Sequence, residues 1–172
     1  MNHLAIDCES LSLAPNAHLL SIGAQFFDPD TGTMGASFYV EIDAKYAQPD
    51  ADVSASTAAW WCNQPTGVIP QGSVMIGDAI RQFVAFIDEN VLPHHGLNVY
   101  QQGDRDAMWL SHAGGQQGVT MPWVYHSVYC ARTLARHFRN WAVDYVDLQG
   151  VPHNALDDAR FVAHRMCELL KP

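Results

Sequence analysis

Apolar and polar residues alternate with a period of two across residues 3–9, placing Leu4, Ile6 and Cys8 on one face and Ala5, Asp7 and Glu9 on the other. That pattern predicts a strand. Residues 19–27 and 34–42 predict two further strands. Between them, Asp28-Pro29-Asp30-Thr31-Gly32 is a strong turn signal, so a hairpin or meander opens the chain. The periodicity then changes. A helix is predicted from near Ser56 through Trp60 and Trp61 to Gln64, stopping before Pro65. A second follows Asp78 as N-cap, with Ile80, Phe83, Val84 and Ile87 at helical spacing. Residues 97–100 predict a short strand, and helices are expected over 106–113, 130–141 and 154–170. Strands first, then alternating helix and strand, indicate an α/β fold with a mixed central sheet flanked by helices. No repeat, low-complexity tract or charged tail divides residues 1–172, so one domain is expected.

Composition narrows the class. The 172 residues are 48% apolar, enough for a substantial core. No stretch approaches the length of a membrane span, and the N-terminus lacks the pattern of a secretory signal, so no membrane partner and a cytoplasmic location are expected. Cys8, Cys62, Cys130 and Cys167 form no CxxC pair, which favours reduced buried thiols over a zinc site. The 9 Lys and Arg against 18 Asp and Glu give a formal charge of −9. A protein that grips long polyanions by electrostatics alone should be basic. Either nucleic acid is not the substrate, or it is held over few phosphates with bound metal ions supplying positive charge.

The second alternative needs carboxylates in places that folding alone does not explain. Asp7 and Glu9 share a strand face about 7 Å apart, which fits either an exposed edge-strand pair or two oxygen ligands for one hard cation. On the last predicted helix, Ala155, Ala159, Val162 and Met166 form an apolar stripe, and Asp158 falls on it. Asp157 fits the simpler role of a first-turn acid opposing the helix dipole. Asp106 heads another apolar stripe, with Trp109, Leu110 and Ala113 after it, and reads as a first-turn acid or a metal ligand; Asp104 is the better candidate for the cap. His153, five residues before Asp158, sits where a loop imidazole could swing to the same site, and imidazole suits general-base work on water.

Asp7-Cys8-Glu9, Asp106 and His153-Asn154-Ala155-Leu156-Asp157-Asp158 together resemble the three motifs of DEDDh 3′–5′ exonucleases, the last matching H-x-A-x-x-D at His153, Ala155 and Asp158. Leu20-Ser21-Ile22-Gly23-Ala24, Phe26-Phe27-Asp28-Pro29, the Trp60-Trp61 pair and residues 153–160 look like the small phage and prophage exonucleases, with the mycobacterial-type exoribonucleases as a more distant relative. The resemblance runs from about Leu4 to Leu170. It departs at residues 100–105, which look shortened and lack the Trp-Gly-Asn pattern common in near relatives.

The resemblance implies a ribonuclease H-like fold and a metal-dependent 3′–5′ exonuclease. It implies that Asp7, Glu9 and Asp158 hold one Mg²⁺ or Mn²⁺ and that Asp7, aided by Asp106, holds a second. His153 would take the proton from the attacking water. Leu11 resembles the position that wedges against the terminal base, and Trp60 or Trp61 could offer a stacking face, though at least one of them is better explained as a core anchor. Arg132, Arg136 and Arg139 form a basic stripe that either contacts phosphates or is a solvated face. The expected partners are 3′ ends of single-stranded DNA or RNA, with DNA slightly favoured by the phage-like resemblance, and a homodimer is compatible with the reading. Two rivals remain: a zinc hydrolase, for which no HExxH spacing is present and His94-His95 lies beside Pro93, and a non-catalytic nucleic-acid- or protein-binding module on the same fold.

Overall fold

A computed structural model describes residues 1–65, 69–92, 96–139 and 150–171. Its centre is a five-stranded sheet in the order β3-β2-β1-β4-β5, built from β1 (His3–Ser10), β2 (Leu19–Asp28), β3 (Thr33–Glu41), β4 (Asn98–Gln101) and β5 (Val128–Cys130). β1 runs antiparallel to β2, and β2 to β3, as the turn at residues 28–32 requires; β4 joins β1 and β5 joins β4 in parallel. The helices are α1 (Ala55–Cys62), α2 (Ile76–Asn90), α3 (Asp106–Gln116), α4 (Ala131–Arg139) and α5 (Ala155–Leu170). Among the described residues, none of them is long and apolar enough to cross a membrane.

Alternation in β1 divides the core into two layers. Leu4, Ile6 and Cys8 pack with Ile22, Ala24 and Phe26 of β2 under α2 and α3, where Ile80, Phe83, Ile87 and Leu110 are buried. Ala5 and Phe27 face the other way, against Ala131 and Ala135 of α4 and the apolar stripe of α5, including Val162, Ala163 and Met166. Asp7 and Glu9 continue the Ala5 face, beyond the end of that second apolar layer. The edge-strand account of these two acids is thereby removed, because β1 is the middle strand of the sheet.

Several boundaries differ from those predicted. Asp78 does not cap α2: the helix starts upstream at Met75, whose carbonyl accepts from Asp78 and Ala79, because Ile76 and Gly77 are drawn into the core. Asp78 is left in the first turn, paired with Arg81 at 2.8 Å. Asp104 does not cap α3; its side chain is 82% exposed beside Arg105, and the orphan N–H of Ala107 donates instead to Gln101 Oε1 at 2.9 Å. β5 was not foreseen, since three residues are too few to show an alternation, and they displace the predicted helix start from Cys130 to Ala131. Trp141, at the end of that predicted helix, and the His94-His95 pair lie outside the described residues, as does the Arg139 side chain.

α5 begins unusually close to the sheet. Its cap Asn154 accepts from the N–H groups of Leu156 and Asp157. Gly23 on β2, paired with Asp7 on β1, lies directly beneath this turn; a Cβ there would sit 2.1 Å from the Ala155 backbone carbon. Backbone cannot yield as a flexible side chain can, so Gly23→Ala must lift the helix start. We expect it to destabilise the fold by at least about 1–3 kcal/mol in urea unfolding. Gly96→Ala, where an added methyl meets open space, should change stability by less than about 0.5 kcal/mol.

Candidate active site

Four carboxylates reach one pocket from three elements. Asp7 and Glu9 project from β1, Asp106 from the first turn of α3 and Asp158 from the first turn of α5, and with His153 they line a cavity of about 210 Å³. All four acids are at most 9% exposed. The Cys8 N–H donates to Asp106 Oδ1 at 3.0 Å, tying α3 to the strand between its two acids. The His153 N–H donates to Asp158 Oδ2 at 3.2 Å, tying the loop before α5 to the helix. His153 holds φ near +64°, a left-handed backbone that a non-glycine residue adopts only where surrounding contacts impose it.

One ligand atom from each of Glu9, His153 and Asp158 lies within 4.8 Å of the other two, a spacing that a single cation can span. Asp158 Oδ1 is buried with no hydrogen-bond partner, a costly condition unless something positive meets it. Burial, then the charges of Asp106, Glu9 and Asp158, push the Asp7 carboxyl well above its ordinary value. Burial followed by the charges of Asp158 and Asp106 pushes Glu9 to about 9. Desolvation raises Asp106 to about 7 against the opposing Cys8 hydrogen bond, and raises Asp158 to about 7 against that from His153. An all-oxygen set with an imidazole beside it, and an orphaned carboxylate oxygen within it, fits a hard divalent cation. Burial holds the His153 imidazole below its usual value, and so neutral near pH 7.

A second, apolar cavity of about 400 Å³ adjoins the first, sharing Cys8, Glu9, Leu13 and Trp109 with it and adding Trp60, Trp61, Ser56 and Thr57. The two tryptophans sit in different surroundings. Trp61 is buried and its Nε1–H donates to Ser10 O at 2.8 Å, an anchor for α1. Trp60 is 40% exposed and stands edge-on to His153, ring centroids 4.7 Å apart. Leu11 is not at the mouth of either cavity. Its N–H donates to His18 O and its carbonyl accepts from Ser54, which fixes it within the loop, whereas Leu13, 62% exposed, lines both cavities. Trp109 pins that loop by donating from Nε1 to Ala14 O at 2.7 Å. Arg132 lines the acidic cavity from α4, whereas Arg136 is exposed outside it. Gln102 also lines the acidic cavity, buried and with neither end of its amide hydrogen-bonded. Leu13, Trp109 and Gln102 escaped the sequence reading. An exposed leucine in a serine-rich loop was the available signal for the first; nothing marked the others.

The sequence matches the family model described as the 3′–5′ exoribonuclease Rv2179c-like domain over residues 2–170. Compared with curated proteins, it has no significant match. Its fold is similar to the nuclease domain of 3′hExo, a DEDDh family member, bound to rAMP (TM-score 0.62, 12% identity, 98% of this chain and 90% of that one). It is also similar to Exonuclease X in complex with 5′-overhanging duplex DNA (0.57, 16%, 98% and 90%) and to S. pombe Pop2p in its Mg²⁺- and Mn²⁺-bound form (0.60, 10%, 97% and 82%). The mixed sheet with flanking helices is thus the ribonuclease H-like arrangement of these exonucleases.

The raised carboxyl values have a consequence for stability. A carboxyl that titrates near 7 or 9 when folded, and near 4 when unfolded, binds more protons in the native state across that interval. Its contribution to stability is therefore fully present below the unfolded value and falls as pH rises. We expect the melting temperature of cation-free protein to drop between about pH 5 and 9, and Asp158→Asn to flatten part of that slope. A melting temperature that climbs over this range in wild type, with no change of slope in the variant, would show that the acids ionise without penalty.

Proposed function

Because this chain belongs to the Rv2179c-like 3′–5′ exoribonuclease domain family and is a 3′–5′ exonuclease, we propose that it removes nucleotides from single-stranded 3′ ends at the pocket of Asp7, Glu9, Asp106, Asp158 and His153. The observation that carries this reading is the convergence of four buried acids on one cavity beside an imidazole. A binding module has no need of that arrangement, since it costs stability and gives a polyanion nothing to hold.

Two divalent ions, Mg²⁺ or Mn²⁺, complete the site in this proposal, and when bound they offset the negative charge and stabilise charge developing at the scissile phosphate. Glu9, Asp158 and Asp7 would hold one, and Asp7 with Asp106 would hold the other. His153, kept neutral by burial and close to Glu9 and Asp158, accepts the proton of the attacking water. The apolar cavity receives the terminal base, where Trp60, Trp109 and Leu13 provide faces for contact worth roughly 1–3 kcal/mol for a stacked base. Arg132 meets a phosphate at the rim of the acids. The family's description favours RNA; the phage-like resemblance favours DNA, so both polymers enter the test.

Wild-type protein with Mg²⁺ or Mn²⁺ should shorten 5′-labelled single strands stepwise from the 3′ end. Retention of full-length label on both polymers would return the binding-module reading. The same ions should raise the melting temperature of wild type and leave that of Asp7→Ala nearly unmoved; an equal rise in both would place the cations elsewhere. His153→Ala should keep most of the cation-induced rise and lose about 10²–10⁴-fold in turnover, the usual share of a general base. Loss of the cation effect in that variant would make His153 a ligand instead.

A further inference from the structure

Asp157, the acid next to Asp158, is turned away from the metal pocket and holds the backbone that delivers His153. Its Oδ2 accepts the Val151 N–H at 2.9 Å, and its Oδ1 lies 3.5 Å from Arg160 Nη1. Gly150 adopts φ near +147°, and a Cβ there would fall 2.6 Å from the Asp157 carboxyl carbon and 2.7 Å from Oδ2. The carboxylate is therefore packed against a position that only glycine can occupy. Two residues on from Val151, His153 turns into the left-handed region and gives its N–H to Asp158. Consecutive acids on α5 thus grip the same short loop at two points, Asp157 at its entry and Asp158 at its exit, and Asn154 caps the helix directly afterwards. Trp60 closes the far side of the imidazole, edge-on at 4.7 Å.

A strained backbone persists only when its surroundings over-determine it. Without the Asp157 contact, the loop would keep the His153 N–H bond to Asp158 and the turn closed by the Asn154 N–H on the Val151 carbonyl at 3.1 Å, but residues 150–151 would lose their hold on α5 and the φ of His153 could relax. We propose that Asp157 is a positioning residue for the exonuclease reaction: it sets the imidazole of His153 at the reacting water by clamping residues 150–151. This rests on the assignment of His153 as the base. A role limited to the helix dipole would affect stability alone and leave the imidazole where it is.

The test is a double-mutant cycle on single-strand shortening with saturating Mn²⁺. Asp157→Ala should lower kcat by about 10–100-fold, the scale of a misplacement near 1 Å, with KM within about twofold and the cation-induced rise in melting temperature retained. Asp157→Asn keeps an oxygen for the Val151 N–H and should stay within about threefold of wild type. In the His153→Ala background, Asp157→Ala should cost nothing further, because groups acting as a unit are non-additive. Gly150→Ala leaves α5 intact and should reproduce the Asp157→Ala kinetics, which keeps the test open if that variant folds poorly. An equal loss in both backgrounds, or no rescue by asparagine, overturns the clamp. Wild-type turnover in His153→Ala alone would instead overturn the base assignment, and is read separately.

Discussion

The first turn of α5 lies on β2 with no side chain between them. That contact is possible because position 23 is glycine, and it fixes how far α5 can descend toward the sheet. Asp158 sits in this turn, and Asp7, paired with Gly23, sits on the neighbouring strand. The separation of the helix acid from the strand acids is therefore set by backbone packing, not by the reach of flexible side chains. Asn154 caps the same turn and fixes its direction. A site that must hold charge to within a fraction of an ångström gains from resting on such contacts, since they have few ways to yield.

That precision is obtained against a large opposing force. Each of the four acids loses water, and an ionised carboxylate in such surroundings carries a penalty of several kcal/mol even after relaxation. The sheet resists it from both sides. Leu4, Ile6, Ile22, Phe26, Ile80 and Phe83 are fully buried on one face, each contributing about 1.5–3 kcal/mol relative to exposure, and α4 and α5 add a second apolar layer on the other. The acids lie where that second layer ends, next to the opening. Protonation relieves the strain at low pH, and a bound cation would relieve it at neutral pH while leaving the acids charged. The fold accordingly tolerates the site in one state and is completed by it in another.

Much of this was legible in the sequence because two periodicities disagree with it locally. The alternation of β1 places Asp7 and Glu9 on the face of Ala5, and the helical stripe of α5 places Asp158 among residues that prove buried. Polar residues at positions that a period assigns to the core are informative; the same acids elsewhere would have said nothing. Helix boundaries were less legible, since Asp78 and Asp104 are good caps by type and lost that role to burial of Ile76 and to the Gln101 amide. Leu13 rather than Leu11 lines the cavities; Leu11 was named by resemblance alone, in a loop just past the irregularity between Glu9 and Ser10 where no periodicity orients a side chain. Trp109 is apolar on an apolar stripe, so its second task, holding the Leu13 loop, leaves no trace in the pattern. Asp157 was legible only as a helix-dipole acid, because its partner Val151 is in a loop without periodicity.

The formal charge of −9 also takes on a different meaning once the acids are located. Asp7, Glu9, Asp106 and Asp158 account for four of the negative charges, and these would be neutralised or compensated by bound cations. A chain that stays acidic overall gains little from long-range attraction of a polyanion. Short-range contacts would then position the strand: an apolar cavity of about 400 Å³ open to an uncharged base, Arg132 lining the acidic cavity, and the cations that the acids would hold. Under the proposed function a terminal nucleotide suits this arrangement, because its base would be free to leave the stack and enter the cavity beside the acids. In that proposal, trimming from an end would draw on the overall charge as well as on the shape of the pocket.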